Sequence, residues 1–578
     1  IMNKTIKYIK TIVLGGLLST LLFTSCLDDL NQDKPNNENV DDIVNEQGAM
    51  SFLSKIYSGF GLSSNIGGAD GEEDIKAPGI DQGSLVFLRG LIAMQEFPSD
   101  EAIWNWKDAG IVELVNLNWD YTTLYAYTFY QRTMLNIRYC REFLDIFPTS
   151  TGIANIEQYR NEVRAVRAMN YFYLIDLYGN PGIVWDDSPL DDNGWYPTPI
   201  GRQALFEKIT AELEDLSDNS NLPETPSKAT YARMTKPVVW TLLAKLYLNA
   251  EVYTGTPMYD KARIYCEKVM GAGFGIETNY TNLFCGENHL SPSKGNEIIY
   301  AIPFDSENAK SNGGTMMLSA GAFGGELNGN YFGINNAGWT CLKVKETLIS
   351  KFDYAADGGL DRFKSRTKKD GRYLFFDILT YDKEGVTVSD PAWPFDPVTG
   401  EILYDVKERR DIDAKLADWN AGYLCYKFTN LGWDGARVSL TNFPNTDFPV
   451  FRLADIYLMY AECAVRGSGD MSKAVQLVND LRKRAYNGST SEGQIALSDL
   501  TLDFILDERA RELYWEGHRR SDLVRFGKFT QNYVWPYKGG SEEGTPNISS
   551  KYNLYPISDK DLASNPNLVQ NPGYKSIR

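Results

Sequence analysis

The sequence predicts a mostly α-helical protein, made of packed helix pairs and interrupted by one long, loop-rich insertion. Three observations carry this. Apolar residues recur at three- and four-residue steps up to about residue 275 and again from 449 to 530. Two of those helical stretches open with the small-and-aromatic pattern of degenerate tetratricopeptide-type pairs. Between them, over 276–448, the helical period fades and Gly, Asn, Asp and Pro punctuate short apolar runs such as 297–302. That stretch reads as loops with a few short strands.

The chain starts with a basic stretch containing Lys4, Lys7 and Lys10, then an uncharged apolar run over 11–23, then Thr24-Ser25-Cys26. The run is too short for a membrane-spanning stop-transfer helix, so 1–25 reads as a signal peptide. Small residues ahead of Cys26 match a bacterial lipobox, in which that cysteine becomes the lipidated N-terminus. Residues 26–44 are acidic and Asn-rich, with too little apolar surface to offset chain entropy. A flexible tether is expected there, with one domain over 45–578 held at a membrane by acyl chains.

Along the helical blocks, Ala165, Ala168, Phe172 and Ile175 fall on one face. Val239, Leu243, Leu246 and Ala250 do the same, behind Thr235 as a cap and Pro237 in the first turn. Here Trp240-x2-Leu243-Ala244-x2-Tyr247 matches the start of a tetratricopeptide helix, and Ala262-x3-Cys266 follows where its partner belongs. The small residues allow close helix approach while the aromatics fill the flanks. A related pair, Tyr457-x2-Tyr460-Ala461 and Ala474-x3-Val478, brackets a glycine-rich turn at 467–470. No fixed period joins the two pairs, so the insertion must separate them.

Composition narrows the function. The 578 residues carry a net charge of −18, which argues against a nucleic-acid partner. Only His289 and His518 are present, and no H-E-x-x-H, G-x-S-x-G or phosphate-loop motif occurs. No cofactor, metal site or catalytic residue is expected. Of seven cysteines, six are scattered without C-x-x-C spacing and read as small core residues. Glu508, Glu512 and Glu516 are spaced i, i+4, i+8, as if on one helix face. Like charges at that spacing repel, so the reading is an ion-pair network with Arg509, Arg511, Arg519 and Arg520, including a Glu516–Arg520 pair. A glycoside hydrolase using two carboxylates stays open as a rival, as does a helical adaptor that uses tryptophan to bind protein.

Aromatic residues make up 13% of the chain, and several lie in Gly/Asn-rich loops. Trp104-Asn105-Trp106-Lys107-Asp108 and Asn335-Asn336-Ala337-Gly338-Trp339 both set tryptophan beside amide and small residues. A sugar ring offers an apolar C–H face and a rim of hydroxyls. An indole can take the face while Asn, Asp and Arg take the rim.

Several longer stretches share one further property. They are 98–106 (PSDEAIWNW), 246–255 (LYLNAEVYTG), 336–341 (NAGWTC), 449–455 (PVFRLAD), 516–527 (EGHRRSDLVRFG), and the tail from Tyr555-Pro556-Ile557 to Asn571-Pro572-Gly573-Tyr574. Together they resemble the SusD/RagB family of outer-membrane nutrient-binding lipoproteins over nearly all of the mature chain. The resemblance implies one SusD-like domain on four degenerate helix pairs, with a glycan site in the inserted loops. It also implies a SusC-like TonB-dependent transporter as partner, and delivery of oligosaccharide without cleavage. Starch-binding members use an arc of three aromatics and an arginine. Trp106 and Trp339 fall on two of the aromatic positions and Arg89 on the arginine, with Trp104 and Asp108 beside them. Asn312 stands at the third arc position, so one stacking ring is lost. The loop tied in the family to a calcium ion reads Cys285-Gly286-Glu287-Asn288-His289 here, too altered to carry the metal over. Leu27-Asp28-Asp29 after Cys26 resembles the acidic signal of surface-exposed lipoproteins, implying a lipid-anchored position on the cell outer membrane. An α-glucan such as starch is the expected ligand, with another polysaccharide in the same role as the alternative.

Overall fold

The computed structural model describes residues 43–577, apart from 65–73, 76–80, 189–195, 295, 324–331, 336–337, 353–369, 378, 384–385, 388–405, 410–415, 417–421 and 440. The signal peptide, Cys26 and nearly all of the tether lie outside the described residues. Among the described residues, no helix is long and apolar enough to cross a membrane. In chain order the main helices are α1 (Glu46–Ser58), α2 (Phe87–Glu96), α3 (Leu124–Ile146), α4 (Ile156–Leu177), α5 (Arg202–Asn219) and α6 (Lys236–Leu248). They continue as α7 (Tyr259–Met270), α8 (Thr315–Ala320), α9 (Leu453–Val465), α10 (Met471–Ala485), α11 (Leu502–Leu513) and α12 (Arg519–Arg525).

Helical spacing in the sequence becomes packing. Ala165, Ala168 and Ile175 are fully buried in α4, and Val239, Leu243 and Leu246 in α6. Pro237 sits in the first turn of α6, while Thr235 occupies the cap position without a side-chain capping bond. Ala244 is fully buried where α6 packs on α7, and the Trp240 indole reaches back to Ser217 Oγ on α5 at 3.0 Å. Helices α3 to α7 pack each on the next, and α7 then packs on α9, which holds α10 and α11. The two tetratricopeptide-type pairs, α6/α7 and α9/α10, are therefore neighbours in space although the insertion parts them in sequence. Cys140, Cys266, Cys285, Cys341, Cys425 and Cys463 are all buried and free.

Strands close the insertion at its base. The nine strands described are β1 (Ala102–Trp104), β2 (Ile298–Ile302), β3 (Leu342–Val344), β4 (Phe375–Asp377), β5 (Leu379–Lys383), β6 (Val386–Thr387), β7 (Val406–Arg409), β8 (Tyr423–Cys425) and β9 (Phe448–Arg452). β2, near the start of the insertion, pairs antiparallel with β9 at its end, which returns the chain to the helix stack. A second sheet has the order β1-β3-β8-β4, so the insertion also adds strands to β1 of the first helical block. The third sheet has the order β6-β5-β7.

Of the three glutamates, Glu516 departs from the expected helix face. Glu508 and Glu512 lie in α11, but the helix ends at Leu513, and Trp515 and Gly517 take left-handed backbone angles of φ 61° and 78°. Glu516 therefore leaves the face and does not pair with Arg520, which donates instead to the carbonyls of Tyr552 and Asn553. Most of the cations come from elsewhere. Arg372 binds Glu508 at 2.8 Å and Glu512 at 3.0 Å, and Arg452 binds Glu512 and Glu516 at 2.6 Å each. Lys427 binds Glu516 at 2.7 Å, while Arg482 and the sequence-neighbouring Arg511 both reach Glu508. Arg509 turns to Asp455 and Asp522, and Arg519 to Asp100. Burial works against ionising Glu512. Arg484, Arg452 and Arg372 overcome it and hold the carboxyl at about 2. The cluster is an ion-pair core that ties insertion, β9, α10 and α11 together.

Candidate functional site

Strand register brings the two tryptophan loops together. β1 and β3 run antiparallel with Trp104 opposite Leu342, and just beyond them Asn105 N donates to Cys341 O at 2.8 Å. Trp106 follows β1 and Trp339 precedes β3, so both emerge at the same end of the strand pair. Trp339 is fixed by its own backbone: its N–H donates to Ala320 O at 2.7 Å, and Thr340 N donates to Phe323 O at 2.9 Å, just past α8. Gly338 makes that approach possible. It has φ 74°, and a Cβ there would lie 2.3 Å from Phe323 O.

Trp104 is the wedge beneath the two outer rings. Its ring centroid is 5.9 Å from that of Trp106, at 84°, and 6.4 Å from that of Trp339, at 62°. Edge-to-face geometry of this kind suits the ring quadrupoles. Trp104 is only 1% exposed, whereas Trp106 and Trp339 are partly exposed rims on the core. This corrects the expectation that Trp104 touches a glycan. Its ring is almost fully covered by its neighbours. Among the described residues, the Trp106 indole N–H has no acceptor.

Charge converges on the same wedge. Arg89, from α2, is buried with its guanidinium carbon 5.1 Å from the centroid of Trp104. It donates to Asp81 at 3.0 Å and lies 4.0 Å from Asp108, which also accepts the Trp104 indole N–H at 3.1 Å. Burial disfavours the guanidinium charge, but Tyr125 and Asp81 raise its pKa above the ordinary value. Asp81 is held in turn as the cap of a short turn, accepting from Ser84 N and Ser84 Oγ. Gly83 and Gly313 let two turns meet there. A Cβ on Gly313 would lie 2.3 Å from Gly83 O, and one on Gly83 would strike Arg89 Nη1 at 2.8 Å and Asn312 C at 3.1 Å. Asn312 is thereby set beside the Arg89–Asp81 pair, half-buried.

Trp106, Trp339, Arg89 and Asp108 thus gather around Trp104, and Asn312 adjoins them at the Arg89–Asp81 pair. Arg89 is the deepest of them, its side chain 6% exposed, so it backs the site and shows the solvent little. Asp81 was absent from the sequence reading. The signal available was Asp81-x-x-Ser84, a local capping pattern eight residues before Arg89. Asn336 and Ala337 lie outside the described residues. The Cys285–His289 loop is tied down by protein groups, with Gly286 N donating to Leu431 O and Trp433 N to Glu287.

Known proteins share the sequence family and the fold. A family profile described as SusD family matches residues 296–574. Starch-binding protein SusD of Bacteroides thetaiotaomicron is 32% identical, over 98% of this chain and 100% of that protein. A SusD-like protein of Bacteroides ovatus is 24% identical over 71% of this chain and 73% of its own. Among solved structures, surface glycan-binding protein A from Bacteroides thetaiotaomicron in complex with laminarihexaose aligns with a TM-score of 0.62. It is 20% identical and covers 91% of this chain and 99% of that one, a likeness of fold.

Proposed function

This chain belongs to the SusD family, and we propose that it captures oligosaccharides on Trp106 and Trp339 and hands them to a membrane transporter without cleaving them. The observation that carries the reading is the pair of partly exposed indoles propped on one buried indole. An aromatic platform with amide and carboxylate groups at its rim offers stacking to the C–H face and hydrogen bonds to the hydroxyls. An α-glucan is the favoured ligand, supported by the starch-binding relative at 32% identity. The transporter is a SusC-like TonB-dependent barrel, and Cys26 carries the lipid anchor that holds the body on the outer membrane surface. These last assignments rest on the lipobox and on the family resemblance.

Isothermal titration tests the platform. The protein is titrated with maltoheptaose, laminarihexaose and soluble starch, and the reducing ends are assayed after prolonged incubation. Binding without release of reducing sugar is expected. Trp106→Ala and Trp339→Ala should each weaken binding by about 1–3 kcal/mol, the worth of one stacked ring, with circular dichroism unchanged. Unaltered affinity in both variants refutes the platform, and sugar release refutes the non-catalytic role.

A further inference from the structure

The charges that border the platform are arranged asymmetrically. Among the described residues, the cation in contact with the wedge is Arg89, with a side chain only 6% exposed, and its two carboxylate partners are the exposed members, Asp81 at 56% and Asp108 at 40%. Lys107, next to Asp108 in sequence, is exposed and makes no ion pair among the described residues. A ligand lying across Trp106 and Trp339 therefore meets the exposed carboxylates before it meets the buried guanidinium. Each carboxylate has lone pairs beyond those used by Arg89, Ser84 or the Trp104 indole.

We propose that Asp81, together with Asp108, forms a pair of hydroxyl-accepting carboxylates at this platform and makes the site select neutral glycans over uronate- or sulfate-bearing ones. The proposal rests on the platform reading above and adds to it a residue and a selectivity. A neutral pyranose supplies O–H donors to both carboxylates, and hydrogen bonds to a charged acceptor are the stronger kind. An anionic sugar in the same pose places like charge against like, with the balancing cation buried behind the carboxylates. Such repulsion is a standard source of specificity. Arg89 then acts as a positioning residue, fixing the spacing of the two acceptors.

The test uses matched ligands, namely maltoheptaose and laminarihexaose, each compared with its C6-oxidised uronate form, so that stereochemistry is constant and only charge changes. The proteins are the wild type, Asp81→Asn, the Asp81→Asn/Asp108→Asn double variant and Trp106→Ala. Asparagine keeps an acceptor oxygen for Arg89 and Ser84 and removes the charge. The wild type should bind the neutral ligand at least about tenfold more tightly than its oxidised form, and the double variant should narrow that ratio to about threefold or less, chiefly by gaining affinity for the uronate. Asp81→Asn should fall between. A ratio unchanged in the double variant, or a wild type that binds the uronate as tightly as the neutral sugar, overturns the selectivity while leaving the platform intact. Trp106→Ala separates the two readings: if it leaves neutral binding untouched, or if the wild type binds none of the four ligands, the platform falls and this inference falls with it.

Discussion

Arg452 and Arg89 are built from the same parts. Each is a buried arginine between carboxylates, stacked near aromatic rings: Arg452 beside Tyr280 and Phe284, Arg89 over Trp104. They differ in what surrounds the carboxylates. The partners of Arg452, namely Glu297, Glu512 and Glu516, have side chains 0% exposed, and the adjoining cations Arg372, Arg484 and Lys427 complete the cluster. The partners of Arg89 are about half exposed, and the Trp104 ring beside it carries two indoles that are not fully covered. Charge pairing is therefore no guide to function in this chain. A closed network is structure, and the same network left open on one side can recognise a ligand.

Breaking the closed side should have the largest effect. Arg452→Met leaves Glu297, Glu512 and Glu516 facing one another without their shared cation. Removing one partner of a buried pair typically costs about 3–5 kcal/mol, and because Arg484, Arg372 and Lys427 still contact these carboxylates this variant falls at the lower end. Urea unfolding should show that loss, or the variant should fail to fold. A loss below about 1 kcal/mol would mean that the network carries no stability.

Trp104→Ala sharpens the comparison, since Trp104 belongs to the core by burial and to the site by contact. The expected result is a double defect. Stability drops by about 3 kcal/mol, as for a large ring deleted from a core, and glycan binding is lost because Trp106 and Trp339 lose their support. Weakened binding at unchanged melting temperature would reassign Trp104 to direct ligand contact.

The smallest effect is a pH dependence with two limbs. Burial opposes the ionisation of Glu512 and of Asp522. Arg484, Arg452 and Arg372 overcome it at the first and Arg509 and Arg525 at the second, and both carboxyls titrate at about 2 in the fold. Unfolded carboxyls titrate near 4, so between about pH 5 and 2 the unfolded chain binds more protons and stability is lost on acidification. Burial also drives His518 from its ordinary 6.5 down to about 3, so the stability it contributes is lost on acidification from near pH 6.5, which adds to this limb and partly offsets the second one. Burial acts the other way on Asp447 and Asp561, lifting them to about 7 and about 6 against their hydrogen-bond donors. There the folded state binds more protons, and stability falls as pH rises from about 4 to 7. The melting temperature should peak near pH 5, decline modestly to pH 8 and drop steeply below about pH 3.5. A flat profile from pH 5 to 8 would contradict the second limb.

The sequence by itself determined the helix pairs and their small-residue contacts, because helical periodicity is a local property written every three or four residues. Ala244, Ala262 and Ala461 announce close packing wherever the rest of the chain goes, and all three are fully buried. It also brought Trp106 and Trp339 into view, through their amide and small neighbours and the family resemblance. What tertiary structure alone decided is which rings are free. Trp104 and Trp106 are two residues apart with near-identical surroundings in sequence, yet one is a buried wedge and the other a rim. The register that sets Trp104 against Leu342 joins strands far apart in the chain, and no local pattern encodes it. Glu516 left its predicted face for a similar reason, since the left-handed turn at Trp515 and Gly517 aims it at Lys427 and Arg452, which only the folded insertion and β9 bring near. Asp81 reads in sequence as a turn cap. It becomes a site residue only when the Gly83 and Gly313 turns meet over Arg89. Burial and long-range register come from contacts summed over the whole chain, so they are decided where the helices, strands and loops finally pack.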